Sequence, residues 1–262
     1  MKKFGLIGEK LGHSYSKIIH ERFFELTDRR DFVYDLIEIP KEELEVRLDE
    51  IARTYDGINV TIPYKFDVMK HLTHISDEAK KIGAVNTIVF TKDGNFGYNT
   101  DYFGLKSSFE NNGIGVNGKR VVILGTGGAS KAALTVCQDM GASSITFVTT
   151  GTKTVEGYNT ISYNDEITGD IIVNCTPVGM YPNGGKSPLS TLDNGFEAIM
   201  DMIYNPSVTE LMKQGREQGM TVVNGLNMLV SQAMYSQAIW NDEKVNDEAI
   251  SVILDELRKK FD

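Results

Sequence analysis

The residues best placed to do chemistry fall into two groups. One is Gly125-Thr126-Gly127-Gly128-Ala129-Ser130, where the apolar run of residues 120–124 breaks abruptly into glycine. An apolar strand, a glycine turn and a helix start, in that order, form a site for the pyrophosphate of a dinucleotide. Gly125 permits the sharp turn, and Gly127 removes a side chain that would hold a phosphate away from the backbone. Gly128 and Ser130 let helix and strand pack closely, and the unpaired amides of the first helical turn face the phosphates. A close-packed structural turn is the other reading of the same glycines. The second group is polar and lies at strand ends. Asn59 and Thr61 alternate with apolar Val60 and Ile62, so both point to one face of a strand, and Lys65 follows just beyond it. Asp101 closes another strand immediately before a helix. The carboxyl end of a strand is where α/β folds place ligands, so both charged groups are candidates to touch one. Taken singly, Lys65 reads equally as a solvated charge and Asp101 as a helix cap.

These residues need an alternating α/β framework to hold them. Residues 3–8, 32–39 and 57–62 read as strands, separated by two helical stretches. In the first helix Ser16 is the expected N-cap and Ile18, Ile19, Phe23 and Leu26 the core face; the second starts at Pro40 and turns Leu44, Leu48, Ile51 and Tyr55 inward. Ser76 caps a helix that Gly83 ends, and residues 84–90 and 97–101 form a hairpin through Asp93-Gly94. After the glycine turn, Ala129, Ala132, Ala133, Val136, Cys137 and Met140 share a helix face that stops at Gly141. Strands follow at 144–149, 170–176, 198–203 and 220–223, with Tyr204 at the end of the third. Ser207 and Glu210 make a capping-box pattern for the helix before Gly219. Residues 227–240, which include Gln232, read as a helix, and 247–261 as an amphipathic helix in need of a partner.

Composition narrows the class further. The chain has 262 residues, with 27 Lys plus Arg against 36 Asp plus Glu and a formal net charge of −9. That balance argues against nucleic acid as a partner. Met1-Lys2-Lys3 leads directly into a short strand and no long uncharged apolar run appears, so a soluble, cytoplasmic protein without a membrane partner is expected. Cys137 and Cys175 fall in apolar patterns and read as packing residues. The four histidines, His13, His20, His71 and His74, lack metal-ligand spacing with the cysteines, so no metal is expected.

Six motifs in order resemble the shikimate dehydrogenases: Gly12-His13-Ser14-Tyr15-Ser16 with His20, Asn59-Val60-Thr61-Ile62-Pro63-Tyr64-Lys65, Gly83-Ala84-Val85-Asn86-Thr87, Asn99-Thr100-Asp101-Tyr102-Phe103-Gly104, Asn174-Cys175-Thr176-Pro177-Val178-Gly179-Met180, and Gly225-Leu226-Asn227-Met228-Leu229-Val230-Ser231-Gln232. The resemblance spans nearly the whole chain. It implies two domains facing each other across a cleft: an α/β substrate domain over residues 1–102 and a doubly wound Rossmann-type dinucleotide domain over 103–225. Residues 226–262 would then return as helices to complete the first. The implied reaction is reversible NADPH reduction of 3-dehydroshikimate to shikimate, with Lys65 and Asp101 as the catalytic pair. By motif position Ser14, Ser16 and Thr61 would hold the substrate carboxylate, and Asn59, Asn86 and Gln232 its ring hydroxyls. Tyr204 is expected beside the same substrate. The glycine turn would hold the cofactor together with Thr149, Thr150, Lys153, Thr176 and Gly225.

Cofactor choice turns on the end of the strand 144–149. An acidic residue there would favour NAD, and arginine would suit the extra phosphate of NADP. The chain has Thr149-Thr150-Gly151-Thr152-Lys153, which is neither, and residues 151–169 lack the helix that the family commonly carries. NADP is expected, with NAD as the alternative. The family loop also usually has proline where this chain has Glu9 and Lys17. Rival readings are a quinate or quinate/shikimate dehydrogenase using NAD, a non-catalytic hydroxy-acid or dinucleotide sensor, and, more remotely, a folate-type dehydrogenase. A monomer or a homodimer fits equally.

Overall fold

The computed structural model describes residues 1–12, 14–192 and 195–261; His13 of the serine-loop motif lies outside them. The chain divides into two compact units, Met1–Phe103 with Val230–Ile253, and Gly104–Leu229 with the end of the chain from Leu254.

The first unit contains β1 (Lys2–Gly8), α1 (Ser16–Leu26), β2 (Phe32–Glu38), α2 (Leu44–Ala52), β3 (Gly57–Val60), β4 (His74–Ile75), α3 (Asp77–Ile82), β5 (Thr87–Thr91) and β6 (Gly94–Tyr98), and α4 (Thr100–Asn111) begins in it. Its six-stranded sheet runs β2-β1-β3-β5-β6-β4. β1 pairs in parallel with β2 on one side and β3 on the other, because each helical connection returns the chain to the end of the sheet where the previous strand began. All four residues of β3 are buried, as expected for a strand covered on both faces. The hairpin then reverses direction, and the antiparallel register sets Asn59 of β3 directly opposite Thr87 of β5. That pairing brings two polar residues from separate motifs into one buried place. Ile58, Val60 and Ile88, which alternate with that pair, join Ile7, Leu48 and Ile51 in an apolar core.

The second unit contains β7 (Arg120–Leu124), α5 (Gly128–Asp139), β8 (Ser144–Thr149), β9 (Asn159–Ser162), β10 (Ile171–Asn174), β11 (Ala198–Asp201), α6 (Glu210–Glu217) and β12 (Thr221–Val223). All its strands are parallel, in the order β12-β11-β10-β7-β8-β9. Read from the β9 edge this is the doubly wound dinucleotide order, whose direction of winding reverses between β7 and β10. Ligands of such sheets lie outside the carboxyl ends of the strands at that point. α7 (Leu226–Asn241) and α8 (Asp247–Phe261) close the chain, and the division between the units falls within each of them.

The crossover helix that the family commonly carries after β8 is absent, as the lack of helical period predicted. Residues 150–158 carry the chain across as a loop, and β9, unanticipated from sequence, follows. Several local expectations also shift. Ser16 is the first residue of α1, whose N-cap is Tyr15; the Ser14 hydroxyl oxygen accepts from the Ser16 amide at 3.2 Å, and the two serine hydroxyls bond to each other. Ile18 is 45% exposed and Leu26 is also exposed, so the core face of α1 is carried by Ile19, His20, Phe23 and Phe24. Thr209, two residues past the expected Ser207, caps α6 by accepting from the Met212 amide. Asp101 lies inside the first turn of α4 and Thr61 just beyond the end of β3. Among the described residues no helix is long and apolar enough to cross a membrane, and no group of His, Cys, Asp or Glu could hold a metal ion.

Candidate active site

In the first unit the lysine and the carboxylate meet. Lys65 Nζ stands 2.6 Å from Asp101 Oδ2, with side chains 30% and 21% exposed, so the pair is sheltered yet reachable from outside. Lys65 is placed by its own backbone, whose carbonyl accepts from the Val85 amide. Asp101 is placed by the start of α4, where the Thr100 amide donates to Asn86 Oδ1 at 2.7 Å.

Beside the pair lies a buried polar cluster. The Tyr34 hydroxyl donates to Asn59 Oδ1 at 2.8 Å, while Asn59 Nδ2 reaches Thr87 Oγ1 at 3.0 Å and Ser236 Oγ at 2.8 Å. The Thr87 hydroxyl donates to Asn86 Oδ1 at 2.9 Å, so Asn86 uses its carbonyl oxygen inside the cluster. Thr100 Oγ1 lies 3.5 Å from Gln232 Oε1, at the outer limit of hydrogen-bond distance. At the other end Ser14 Oγ and Ser16 Oγ are 3.1 Å apart, and the Ser16 hydroxyl lies against that of Tyr34. Burial pushes the Tyr34 phenol well above its ordinary range, and the Ser16 contact only partly opposes this. Tyr34 is therefore a neutral donor. Of the predicted substrate residues, Ser14, Ser16, Asn59, Thr61, Asn86 and Gln232 belong to this unit; Tyr204 belongs to the other, following β11, where its ring packs on Phe261.

In the second unit the glycine turn has the conformation its sequence demands. Gly125 has φ +93°, a left-handed value that glycine adopts without steric cost, and its amide donates to the Val148 carbonyl at 2.8 Å. A Cβ at Gly127 or Gly128 would meet no atom within 4 Å, so packing does not require glycine at either place. This corrects the close-packing role expected of Gly128. The open space instead lets a phosphate reach the bare backbone at the start of α5, whose first turn carries no acidic residue. Ser130 Oγ turns back to the Gly127 carbonyl at 2.6 Å and braces the turn. At the carboxyl end of β10, Thr176 donates amide and hydroxyl to Asn174 Oδ1, and Asn174 Nδ2 donates to Asp201 at 2.9 Å. Asp201 is fully buried; burial raises its pKa against the opposing pull of donors from Thr209, Ile203 and Asn174. Gly225 is bare for a structural reason, since a Cβ there would stand 2.2 Å from the Met202 carbonyl oxygen.

Relatives match this chain over nearly their full length. A family profile described as the shikimate dehydrogenase substrate binding domain matches residues 6–88. The NADP(+) shikimate dehydrogenase of Clostridium beijerinckii is 40% identical over 95% of this chain and 95% of its own. This chain belongs to the shikimate dehydrogenase family. The solved structure of shikimate dehydrogenase 1 from Peptoclostridium difficile superposes with a TM-score of 0.87 at 46% identity, covering 100% of this chain and 99% of that one. The Thermus thermophilus shikimate 5-dehydrogenase, solved with NADP(H) and shikimate, superposes with a TM-score of 0.85 at 27% identity over 98% of this chain and 99% of that one.

Sequence reasoning missed parts of both sites. Tyr34, Thr87, Thr100 and Ser236 complete the polar cluster, and Thr87 and Thr100 stood inside quoted motifs without being singled out. In the second unit the loop that replaces the crossover helix leaves a cavity of 270 Å³ against α5 and β8. Lys131 and Ser130 line it from the helix, Thr126 from the turn, and Lys153 and Glu156 from the loop. The pocket thus has two ammonium groups and one carboxylate. Lys131 stands next to a residue of the glycine motif, and its charge was the available signal.

Proposed function

We propose that this chain catalyses the reversible NADPH-dependent reduction of 3-dehydroshikimate to shikimate, with Lys65 as the proton donor and Asp101 as its partner. The observation that carries this reading is the sheltered 2.6 Å contact between them beside a buried cluster of amides and hydroxyls. NADPH supplies the hydride when bound. As negative charge develops on the carbonyl oxygen, the Lys65 ammonium stabilises it and transfers a proton, leaving a hydroxyl on the ring and a neutral amine. Partial exposure lets Lys65 regain its proton from water. Asp101 orients the ammonium and favours its charged form. In the reverse direction the neutral amine takes the hydroxyl proton.

The substrate residues divide by chemistry. Ser14, Ser16 and Thr61 offer hydroxyls to the carboxylate. Asn86, with its carbonyl oxygen bonded inward, offers its amide nitrogen to a ring hydroxyl, and Gln232 offers its amide. Asn59, bonded on both arms, supports the ring-hydroxyl side of the site through the cluster. Tyr204 adds a phenol. We assign residues 1–102 with 226–262 to the substrate domain and 103–225 to the dinucleotide domain. The bare turn from Gly125 to Ser130 suits a pyrophosphate, Thr176 and Gly225 shape the backbone at neighbouring strand ends, and Thr149, Thr150, Lys153 and Lys131 suit the ribose phosphate of NADP. The Thermus thermophilus relative, solved with NADP(H) and shikimate, supports both ligands.

The test is the initial rate of nicotinamide absorbance change with shikimate and quinate, each against NADP and NAD. Turnover of shikimate with NADP well above the other pairings is the expected result. A preference for quinate would overturn the substrate assignment, a preference for NAD the cofactor assignment, and binding without turnover the catalytic one.

A further inference from the structure

Ser236 lies on α7 one turn after Gln232, and its hydroxyl is wholly buried. It is the point where three separate segments meet. Asn59 Nδ2 of β3 lies 2.8 Å from Ser236 Oγ, Thr87 Oγ1 of β5 at 3.0 Å and Thr100 Oγ1 of α4 at 3.2 Å, while the serine hydroxyl donates to the Gln232 carbonyl at 3.0 Å. A hydroxyl has one proton and two lone pairs, which restricts how these contacts can be shared. An assignment that uses every proton once gives the Thr100 hydroxyl, which lies 3.1 Å from Asn86 Oδ1 and 3.2 Å from Ser236 Oγ, to Ser236. Asn59 donates to Ser236 and Thr87, Thr87 donates to Asn86 Oδ1, Thr100 donates to Ser236, and Ser236 donates to the Gln232 carbonyl. Asn86 Oδ1 then accepts from Thr87 and from the Thr100 amide, which fixes the orientation of its side chain. Thr100 is also the residue before Asp101, so the same bonds set the first turn of α4 and with it the carboxylate that holds Lys65.

We propose that Ser236 is a positioning residue for the reaction, one that locks the Asn86 amide and the Lys65–Asp101 pair in register with Gln232. The inference rests on the substrate-site reading above. Ser236 touches neither substrate nor the reacting atoms and acts through Asn59, Thr87 and Thr100. Removing its hydroxyl leaves Asn59 and Thr100 competing for fewer acceptors, and Asn86 and Asp101 lose their common anchor.

The experiment compares Ser236→Ala, which deletes the hydroxyl, with Ser236→Cys, which keeps the volume but donates and accepts weakly. Both are assayed for kcat and KM with shikimate, for NADP affinity by quenching of intrinsic fluorescence, and for thermal unfolding. The expected result is a fall in kcat/KM for shikimate of roughly ten- to a hundred-fold in both variants, the scale of catalytic groups misplaced by a fraction of an ångström to an ångström. NADP affinity should stay within about twofold, well below the tenfold that 1.4 kcal/mol would bring. Wild-type kcat/KM in a folded variant overturns the proposal, even if its melting temperature falls, and so does an equal loss of NADP affinity. If neither Ser236 variant folds, Thr100→Ser, which keeps the hydroxyl without the methyl, and Thr100→Val, which removes it, are read by the same criteria, the first expected near wild type and the second impaired. Absence of shikimate turnover in the wild-type protein would instead refute the functional reading itself.

Discussion

Acid should destabilise the first unit through His20, by an amount that the structure allows to be worked out. His20 is wholly buried in α1, stacked on Tyr34 with ring centroids 4.1 Å apart, and its Nδ1 lies 2.7 Å from Gln237 Nε2. Burial lowers its pKa from 6.5 to about 3, and the Asn59 contact opposes this only in part. The folded state therefore keeps His20 neutral at pH values where the unfolded chain binds a proton. A folded pKa below the unfolded one means that stability is intact above pH 6.5 and is lost as pH falls toward 3. At pH 5 the proton taken up on unfolding costs about 2 kcal/mol, and the full difference approaches about 5 kcal/mol near the folded pKa. The chain has one tryptophan, Trp240, which belongs to this unit and stacks on Phe4 at 4.6 Å, so its fluorescence reports the unfolding of this unit in urea. His20→Phe keeps an aromatic ring against Tyr34 and leaves the Gln237 amide without its imidazole partner, a cost of about 1–3 kcal/mol that does not vary with pH. Between pH 7.5 and 5 the wild type should therefore lose about 2 kcal/mol more than His20→Phe. Parallel pH dependences in the two proteins would refute the reasoning, because carboxylates elsewhere are common to both.

Three further perturbations address the sites directly. Lys65→Met should lower kcat by about 10²- to 10⁴-fold while leaving NADP affinity near normal, and a variant with ordinary turnover would remove Lys65 from the chemistry. Lys131→Ala with Lys153→Ala should weaken NADP by roughly tenfold, since charge-assisted bonds to phosphate are lost from an exposed, salt-screened site, and should leave NAD almost unaffected. Equal loss for both cofactors in equilibrium binding would show that the lysines do not read the extra phosphate. Gly225→Ala should destabilise the second unit by about 1–3 kcal/mol, because the new methyl meets the Met202 carbonyl oxygen at 2.2 Å; an unchanged thermal midpoint would contradict that steric account.

What was legible in the sequence is what short-range chemistry imposes. The glycines of residues 125–128 follow an apolar strand and precede a small-residue helix, and that order reflects a local conformational need at Gly125, whose φ is +93°. Short apolar runs located β1, β7, β8 and β10, alternation marked the end of β3, and helical period located the long helices. The absence of helical period after Thr149 foretold the missing crossover helix. β4 has only two residues and β9 only one apolar side chain among polar neighbours, so neither shows a pattern and both form where a neighbouring strand offers partners. Capping was misplaced at Ser16 and Ser207 because a hydroxyl has several competing acceptors and donors, and the fold chooses among them.

The site divides along the same line. Lys65, Asp101, Asn86 and the serine pair could be named from motifs, since their residue types announce charge and hydrogen bonding. That Lys65 and Asp101 touch is a tertiary fact, delivered by a strand end and a helix start 36 residues apart in sequence. Ser236 is more remote still, separated from Asn59 by 177 residues, and nothing in its surroundings on the chain distinguishes it from a surface serine. The cavity that gathers Lys131 and Lys153 likewise exists only once α5, β8 and the loop are packed together. Local sequence determined which groups could donate, accept or carry charge. Only the folded chain decided which of them share protons, because a hydrogen bond depends on a distance of about 3 Å that separation along the chain does not encode.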